Sequence, residues 1–261
     1  MKSKINSHFL FSLFISFVLI ACNSGEKKAE ESSAGDTTAK EPAVTTTPAV
    51  TEETIDAVKS ASQYYKLIAD TLGIRVLEAN YNPGDSSALH SHPVNALYVI
   101  KGGTAEFTAK DGSKMTMELK TGMTGIGGYD LHSVKNSGKT PMKVLLVEVN
   151  RPNNVISPDP VLDASKVAGD HYKVLNDSLG LRILEVNYKP GQSSALHAHP
   201  DYAAYIVEGG TGEITTKEGT KNTTSIKSGT SWVSASDSHS AKNVGKKSFK
   251  IILFEVNRAR N

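Results

Sequence analysis

Displacing the sequence by 107 positions lays residues 56–151 on 163–258 without a gap, and about half of the paired residues are identical. A match of that length means one folding unit present twice, because the repeats of solenoids and propellers are only about 20–50 residues long. Each copy has about 100 residues, enough to bury a core of its own. The texture inside a copy is β. Arg75, Leu77, Ala79 and Tyr81 alternate with their neighbours, as do Arg182, Leu184, Val186 and Tyr188. Turn residues recur at Pro83-Gly84, Gly102-Gly103, Asp111-Gly112, Gly122 and Gly138, and again 107 positions later. Short strands separated by frequent turns point to an all-β sandwich or barrel. The runs at 144–147 and 251–254 read as strands buried on both faces. No long stretch has helical periodicity; one turn is expected around 55–61.

The part of the chain that precedes the repeat has a different character. Lys2 and Lys4 come before an apolar run from Phe9 to Ile20, shorter than the ~20 residues a membrane-spanning helix needs. That pattern reads as an export signal over 1–21. The run ends Leu19-Ile20-Ala21-Cys22, which resembles the lipobox of bacterial lipoproteins. The resemblance implies that Cys22 becomes the first residue and carries lipid, which would anchor the protein to an envelope membrane, at the outer membrane or the periplasmic face. Residues 22–54 are Ser, Thr, Ala, Pro, Glu and Lys with almost no large apolar side chain, the composition of a disordered tether.

Charge and cysteine content exclude several functions. The chain has 29 Lys and Arg against 27 Asp and Glu, and both surplus cations, Lys2 and Lys4, belong to the expected signal. A balanced mature chain lacks the basic footprint of a nucleic-acid-binding protein. With one cysteine there is neither an internal disulfide nor a thiolate metal cluster. No Walker-type loop, Rossmann fingerprint or nucleophile motif is present.

The histidines carry most of the functional signal. Of eight, six pair under the displacement: His90, His92 and His132 with His197, His199 and His239. Residues two apart on a strand point the same way, so His90 with His92, and His197 with His199, each aim two imidazoles at one point. The third histidine follows 40 residues later, where a closed barrel can bring its strand opposite. Three neutral imidazoles suit a divalent metal ion, whether Fe, Mn, Zn, Cu or Ni, with coordination positions left for water or substrate.

These residues also carry a family resemblance. Gly84-x5-His90-Ser-His92-Pro93 with Tyr98 to Gly102 resembles the first motif of the cupin superfamily, and Gly122-x9-His132-x3-Asn136-Ser-Gly138 resembles the second. The other copy repeats both, from Gly191 through His197, His199 and Gly209, and from Gly229 through His239 to Asn243 and Gly245. The resemblance implies a bicupin, two tandem conserved β-barrels of jelly-roll type at 55–153 and 162–261 joined by a linker at 154–161, each with a metal site. One departure matters. Metal-binding cupins usually carry a Glu four or five residues after the second histidine; here those positions hold Ala96 and Leu97, and Ala203 and Ala204. Without it a site loses one negative charge and keeps a position open for an anionic or chelating ligand.

Other paired residues are weaker candidates. Asp130 and Asp237, two before the third histidines, read first as turn-capping residues, with a hydrogen bond to a histidine ring or a reach to the metal itself as the alternatives. Glu78 and Glu185, on one strand face with Asn80 and Asn187, mark either a pocket or a solvated face. Glu106 and Glu213 read the same way. Tyr98 and Tyr205 read as core residues rather than as a cavity lining. The halves differ at Trp232 for Gly125, Tyr202 for Asn95, and Ser234-Ala235 for Gly127-Gly128, which gives the second copy more aromatic material to hold an organic ligand. His171 stands where the first copy has Tyr64. The expected function is a divalent-metal-binding bicupin lipoprotein, a three-histidine, dioxygenase-like enzyme on a small anionic or chelating substrate. The alternative is a surface lipoprotein that binds a metal or small ligand without catalysis. The partners are then that small molecule and the membrane, with a homodimer left open.

Overall fold

The computed structural model describes residues 54–260. The expected signal segment, Cys22 and all of the tether before Thr54 lie outside the described residues, as does Asn261. After a one-turn helix α1 (Ala57–Ser60) come β1 (Tyr65–Thr71), β2 (Ile74–Tyr81), β3 (His90–His92), β4 (Asn95–Lys101), β5 (Gly103–Ala109), β6 (Lys114–Leu119), β7 (Thr124–Gly127), β8 (Asp130–Asn136) and β9 (Met142–Val149). The second copy repeats this order as α2 (Ala164–Val167), β10 (Tyr172–Ser178), β11 (Leu181–Tyr188), β12 (His197–His199), β13 (Asp201–Glu208), β14 (Gly210–Thr216), β15 (Lys221–Ile226), β16 (Ser231–Ser234), β17 (Asp237–Asn243) and β18 (Phe249–Val256). Asp56 and Asp163 cap the two helical turns, accepting hydrogen bonds from the Lys59 and Ser165 amides.

Each copy folds two antiparallel sheets face to face: β1-β2-β9-β4-β7 on β3-β8-β5-β6 in the first, β10-β11-β18-β13-β16 on β12-β17-β14-β15 in the second. The non-sequential order is that of a jelly roll. Alternation sorts the side chains. On β2, Leu77, Ala79 and Tyr81 enter the first barrel's core with Val144 and Leu146 of β9. Ile74 and Val76, on the opposite face, join Leu145, Val147 and Val149. That opposite face meets its equivalent from the second copy, Leu181, Ile183, Ile252, Phe254 and Val256, in one shared cluster.

The two five-stranded sheets therefore pack outer face to outer face. This explains why β9 and β18 read as buried on both sides: one side faces a barrel interior, the other a neighbouring barrel. The contact is reciprocal, since β7 meets β10 and β16 meets β1, and Tyr98 lies against its own counterpart Tyr205 with ring centroids 5.7 Å apart. Both tyrosines thus belong to the junction and neither lines a cavity. Asp201 adds a polar clamp. It accepts hydrogen bonds from Arg151 of the first copy (2.6 Å), from Arg260 (2.7 and 2.6 Å) and from the Ser236 amide (2.8 Å).

The first hairpin of each barrel turns through Leu72-Gly73 and Leu179-Gly180, all four at positive φ. Such a two-residue turn suits a twisted hairpin, but a leucine in the left-handed region is strained. The Leu72 and Leu179 carbonyls accept hydrogen bonds from the Nε of Arg151 and Arg258.

Candidate metal centres

Strands β3 and β8 are antiparallel neighbours, with His90 opposite His132. On β12 and β17 His197 stands opposite His239 in the same way. The period of two on the short first strand brings the other histidine to the same face. In each copy one ring nitrogen from every histidine falls within 4.8 Å of the other two, giving the groups His90, His92, His132 and His197, His199, His239. Imidazoles from stretches 40 residues apart in sequence thus meet as their spacing predicts.

Which nitrogen faces the common point follows from what the other one does. His90 and His197 donate from Nδ1 to the Ala88 and Ala195 carbonyls at 2.8 Å. His92 and His199 place Nδ1 2.7 Å from carboxylate oxygens of Glu148 and Glu255. His132 and His239 place Nδ1 3.0 and 3.2 Å from Asp130 and Asp237. An acceptor on every Nδ1 fixes the tautomer with the lone pair on Nε2, the arrangement that prepares imidazole for a metal. Burial, reinforced by the other two histidines, holds the His90 ring at a pKa of about 4 and that of His197 at about 3, so both are neutral near pH 7. His92 and His199 are almost wholly buried, and their Nε2 atoms have no hydrogen-bond partner. A buried acceptor without a partner costs about 1–3 kcal/mol, and an ion at the shared point would satisfy it. The residues present therefore fit a divalent first-row ion.

Behind the rings stands a second set of charges. Glu255 also pairs with Arg182 at 2.6 Å, and Arg182 pairs with Asp163 at 2.7 Å. In the first copy Glu148, Arg75 and Asp56 form the same chain at 3.0 and 2.8 Å. Each helix-capping aspartate is thus linked through an arginine and a glutamate to a histidine at the centre. The two glutamates are the functional residues that the sequence reading missed. Their signal was a carboxylate inside a doubly buried apolar strand, 56 residues beyond His92 and beyond His199 alike.

The weaker candidates divide. Asp130 and Asp237 orient the third histidines, so the ring-bonding alternative holds and the capping preference is corrected. Burial opposes ionisation of Asp130, but the hydrogen bond with His132 and the nearby imidazoles outweigh it and leave the carboxyl below its ordinary range. Glu78 and Glu185 lie on the outer face, paired with Lys143 and Lys250; they mark a solvated face, not a pocket. Glu106 and Glu213 pair with the exposed Lys114 and Lys221. At the positions of the expected cupin glutamate, Leu97 and Ala204 pack with the barrel cores. Tyr202 lies beside the second centre, its ring 5.5 Å from that of His199, where the first copy has Asn95. Trp232 is 36 % exposed on the edge strand β16. His171 stacks on Tyr188 with centroids 4.1 Å apart, the place Tyr64 takes against Tyr81.

Comparison with solved structures bears on the fold. AerE from Microcystis aeruginosa superposes with a TM-score of 0.55 at 14% identity, over 74% of this chain and 92% of its own. Salicylate 1,2-dioxygenase from Pseudaminobacter salicylatoxidans gives 0.51 at 11% identity, over 74% of this chain and 76% of its own. The chain has the cupin fold. A cupin 2 conserved barrel domain protein from Leptotrichia buccalis is more distant, with a TM-score of 0.46 at 14% identity over 74% of this chain and 88% of its own. No protein-family model and no curated protein matches the sequence of this chain.

Proposed function

We propose that each barrel holds a divalent first-row metal ion on three histidines, His90, His92 and His132 in one and His197, His199 and His239 in the other, and that the protein is a metal-dependent, dioxygenase-like enzyme on a small anionic or chelating molecule. The observation that carries the metal reading is the uncommitted, buried Nε2 of His92 and of His199, each beside two further imidazoles whose Nδ1 atoms are already taken. An ion there supplies Lewis acidity and, if it is iron, a redox partner for O₂. The protein's own residues do the rest. Glu148 and Glu255 accept from Nδ1 of the second histidine of each site and so fix the direction of its ring, and Arg75 and Arg182 hold those glutamates. Asp130 and Asp237 do the same for the third histidine. With no carboxylate among the three ligating side chains, a site holding a divalent ion keeps a positive charge, which favours an anionic ligand. Support for oxygen chemistry comes from the shared fold with salicylate 1,2-dioxygenase, a protein named for that reaction.

The lipobox-like Leu19-Ile20-Ala21-Cys22 supports a place for this enzyme at an envelope membrane, held by lipid on Cys22. Metal analysis of the full chain after exposure to Fe, Mn, Zn, Cu and Ni tests the centres; retention of none defeats the proposal. Oxygen uptake with catechols and diketones then tests the enzymatic reading, and uptake that survives His197→Ala with His90→Ala overturns it.

A further inference from the structure

A phenol stands against each centre. The Tyr65 hydroxyl is 2.9 Å from Nε2 of His90, and the Tyr172 hydroxyl is 2.9 Å from Nε2 of His197. Each nitrogen has its Nδ1–H turned to a backbone carbonyl, so Nε2 holds a single lone pair and the phenol donates to it. Both tyrosines are almost wholly buried. Their rings lie close to two histidines apiece, Tyr65 at 4.9 and 5.4 Å and Tyr172 at 4.7 and 5.3 Å between centroids. In the second copy Tyr188 donates to the Tyr172 oxygen at 3.5 Å, so that its proton stays directed at His197.

One lone pair cannot serve a phenol and an ion together. An ion that takes Nε2 of His90 or His197 releases a buried hydroxyl, and a buried donor without an acceptor is costly. The new acceptor at hand is whatever oxygen occupies the ion's open positions. We propose that Tyr65 and Tyr172 are the ligand-recognising donors of the two centres: their hydroxyls cap the histidine lone pair while the site is metal-free and, once an ion is bound, hydrogen-bond to a carboxylate or enolate oxygen on that ion. The proposal rests on the metal reading above. It assigns to these tyrosines a selection for oxygen anions that three imidazoles alone do not provide, and it makes ion loading and anion binding mutually supportive.

The test uses the full chain loaded with Co(II), whose visible spectrum reports coordination, with acetate as the anion. In Tyr65→Phe with Tyr172→Phe, Co(II) affinity should equal the wild type or be tighter, because the competing hydrogen bond is gone. Acetate affinity should fall about tenfold or more, the worth of a hydrogen bond to a charged acceptor. Unchanged acetate affinity overturns the proposal and leaves the metal reading intact. Co(II) affinity weakened more than about tenfold also overturns it, since the phenol oxygens would then be ligands themselves. A wild-type chain that takes up no Co(II) removes the metal reading and this proposal with it. Should the variant not fold, NMR on the wild type decides: the Tyr172 hydroxyl proton couples to Nε2 of His197 without metal and loses that coupling with Zn(II) and acetate. Coupling that persists with Zn(II) bound refutes the exchange.

Discussion

Glu255→Gln is the most informative single change, because one side chain holds both a ring of the centre and a buried cation. The glutamate is fully buried, with His199 Nδ1 at 2.7 Å on one oxygen and Arg182 at 2.6 Å on the other. Glutamine keeps the volume and one acceptor oxygen but removes the charge, and its NH₂ group must face either Arg182 or the ring. If it faces Arg182, two donors oppose each other; if it faces His199, Nδ1 must give up its proton and Nε2 its lone pair. Breaking one side of a buried ion pair costs about 3–5 kcal/mol. Arg182 keeps Asp163 at 2.7 Å, so the lower part of that range is expected, about 3 kcal/mol by urea unfolding of the metal-free chain. Loss of a group that orients a ligand typically weakens metal binding about 10–100-fold, and Zn(II) competition against a chelator reads this at the second centre. Asp237→Asn supplies the comparison. Its carboxylate is partly exposed and 3.2 Å from His239, so the loss of affinity should be the smaller of the two. A folded Glu255→Gln protein that binds Zn(II) as tightly as wild type would show that the glutamate does not set the histidine.

Four further outcomes are expected. Saturating Zn(II) at about 100 times its Kd should stabilise each site's fold by about 2.7 kcal/mol, read as a higher Tm that returns to its starting value with chelator; a Tm indifferent to metal contradicts the centres. His197→Ala with His199→Ala should halve the metal content from two ions per chain to one, whereas full retention of two would place an ion elsewhere. Arg260 hydrogen bonding, together with Arg151, holds the Asp201 carboxyl well below the usual range. Its stabilisation is therefore fully present above the unfolded pKa of about 3.9 and is lost progressively as pH falls from there through the much lower folded value, so Asp201→Asn should cost about 2–3 kcal/mol at pH 7 and about 1 kcal/mol less at pH 3; an equal cost at both pH values contradicts the clamp. Leu179→Asn should raise stability by about 0.5–1 kcal/mol, since asparagine tolerates positive φ and Leu179 is exposed; a loss in chemical unfolding would mean that its side-chain contacts outweigh the strain.

How much of this was legible in the sequence depends on the range of the interaction. The duplication and the six histidines followed from local spacing, since a period of two on β3 and β12 is a property of the strand itself. The one helical turn expected around 55–61 is found at Ala57–Ser60, though its Asp56 cap was not foreseen. The partners of the rings did not follow from spacing, because Glu148 and Glu255 reach them across a sheet, and a residue type in an apolar run does not announce its partner. The turn at Leu72-Gly73 escaped because leucine is not a turn former; it is held there by Arg151, 79 residues away. Glu78 and Asn80 showed the right parity but not which side faced water, because the outer face of β2 is dry at Ile74 and wet at Glu78. The junction at Tyr98 and Tyr205 was hidden for a related reason: periodicity identifies a buried face without naming what covers it.

The reciprocal packing of the two barrels has an evolutionary corollary. In an assembly of identical subunits every substitution at such a contact enters twice, so a change that helps one side is imposed on the other. Joining the copies in one polypeptide removes that obligation. Asp201 shows the result: its equivalent is Val94, so the latch closing on Arg151 and Arg260 exists on one side only. The same freedom extends inward, where Tyr202 and Asn95 flank otherwise matched histidines. One half can thus specialise its chemistry while the other keeps the ancestral arrangement or drifts from it.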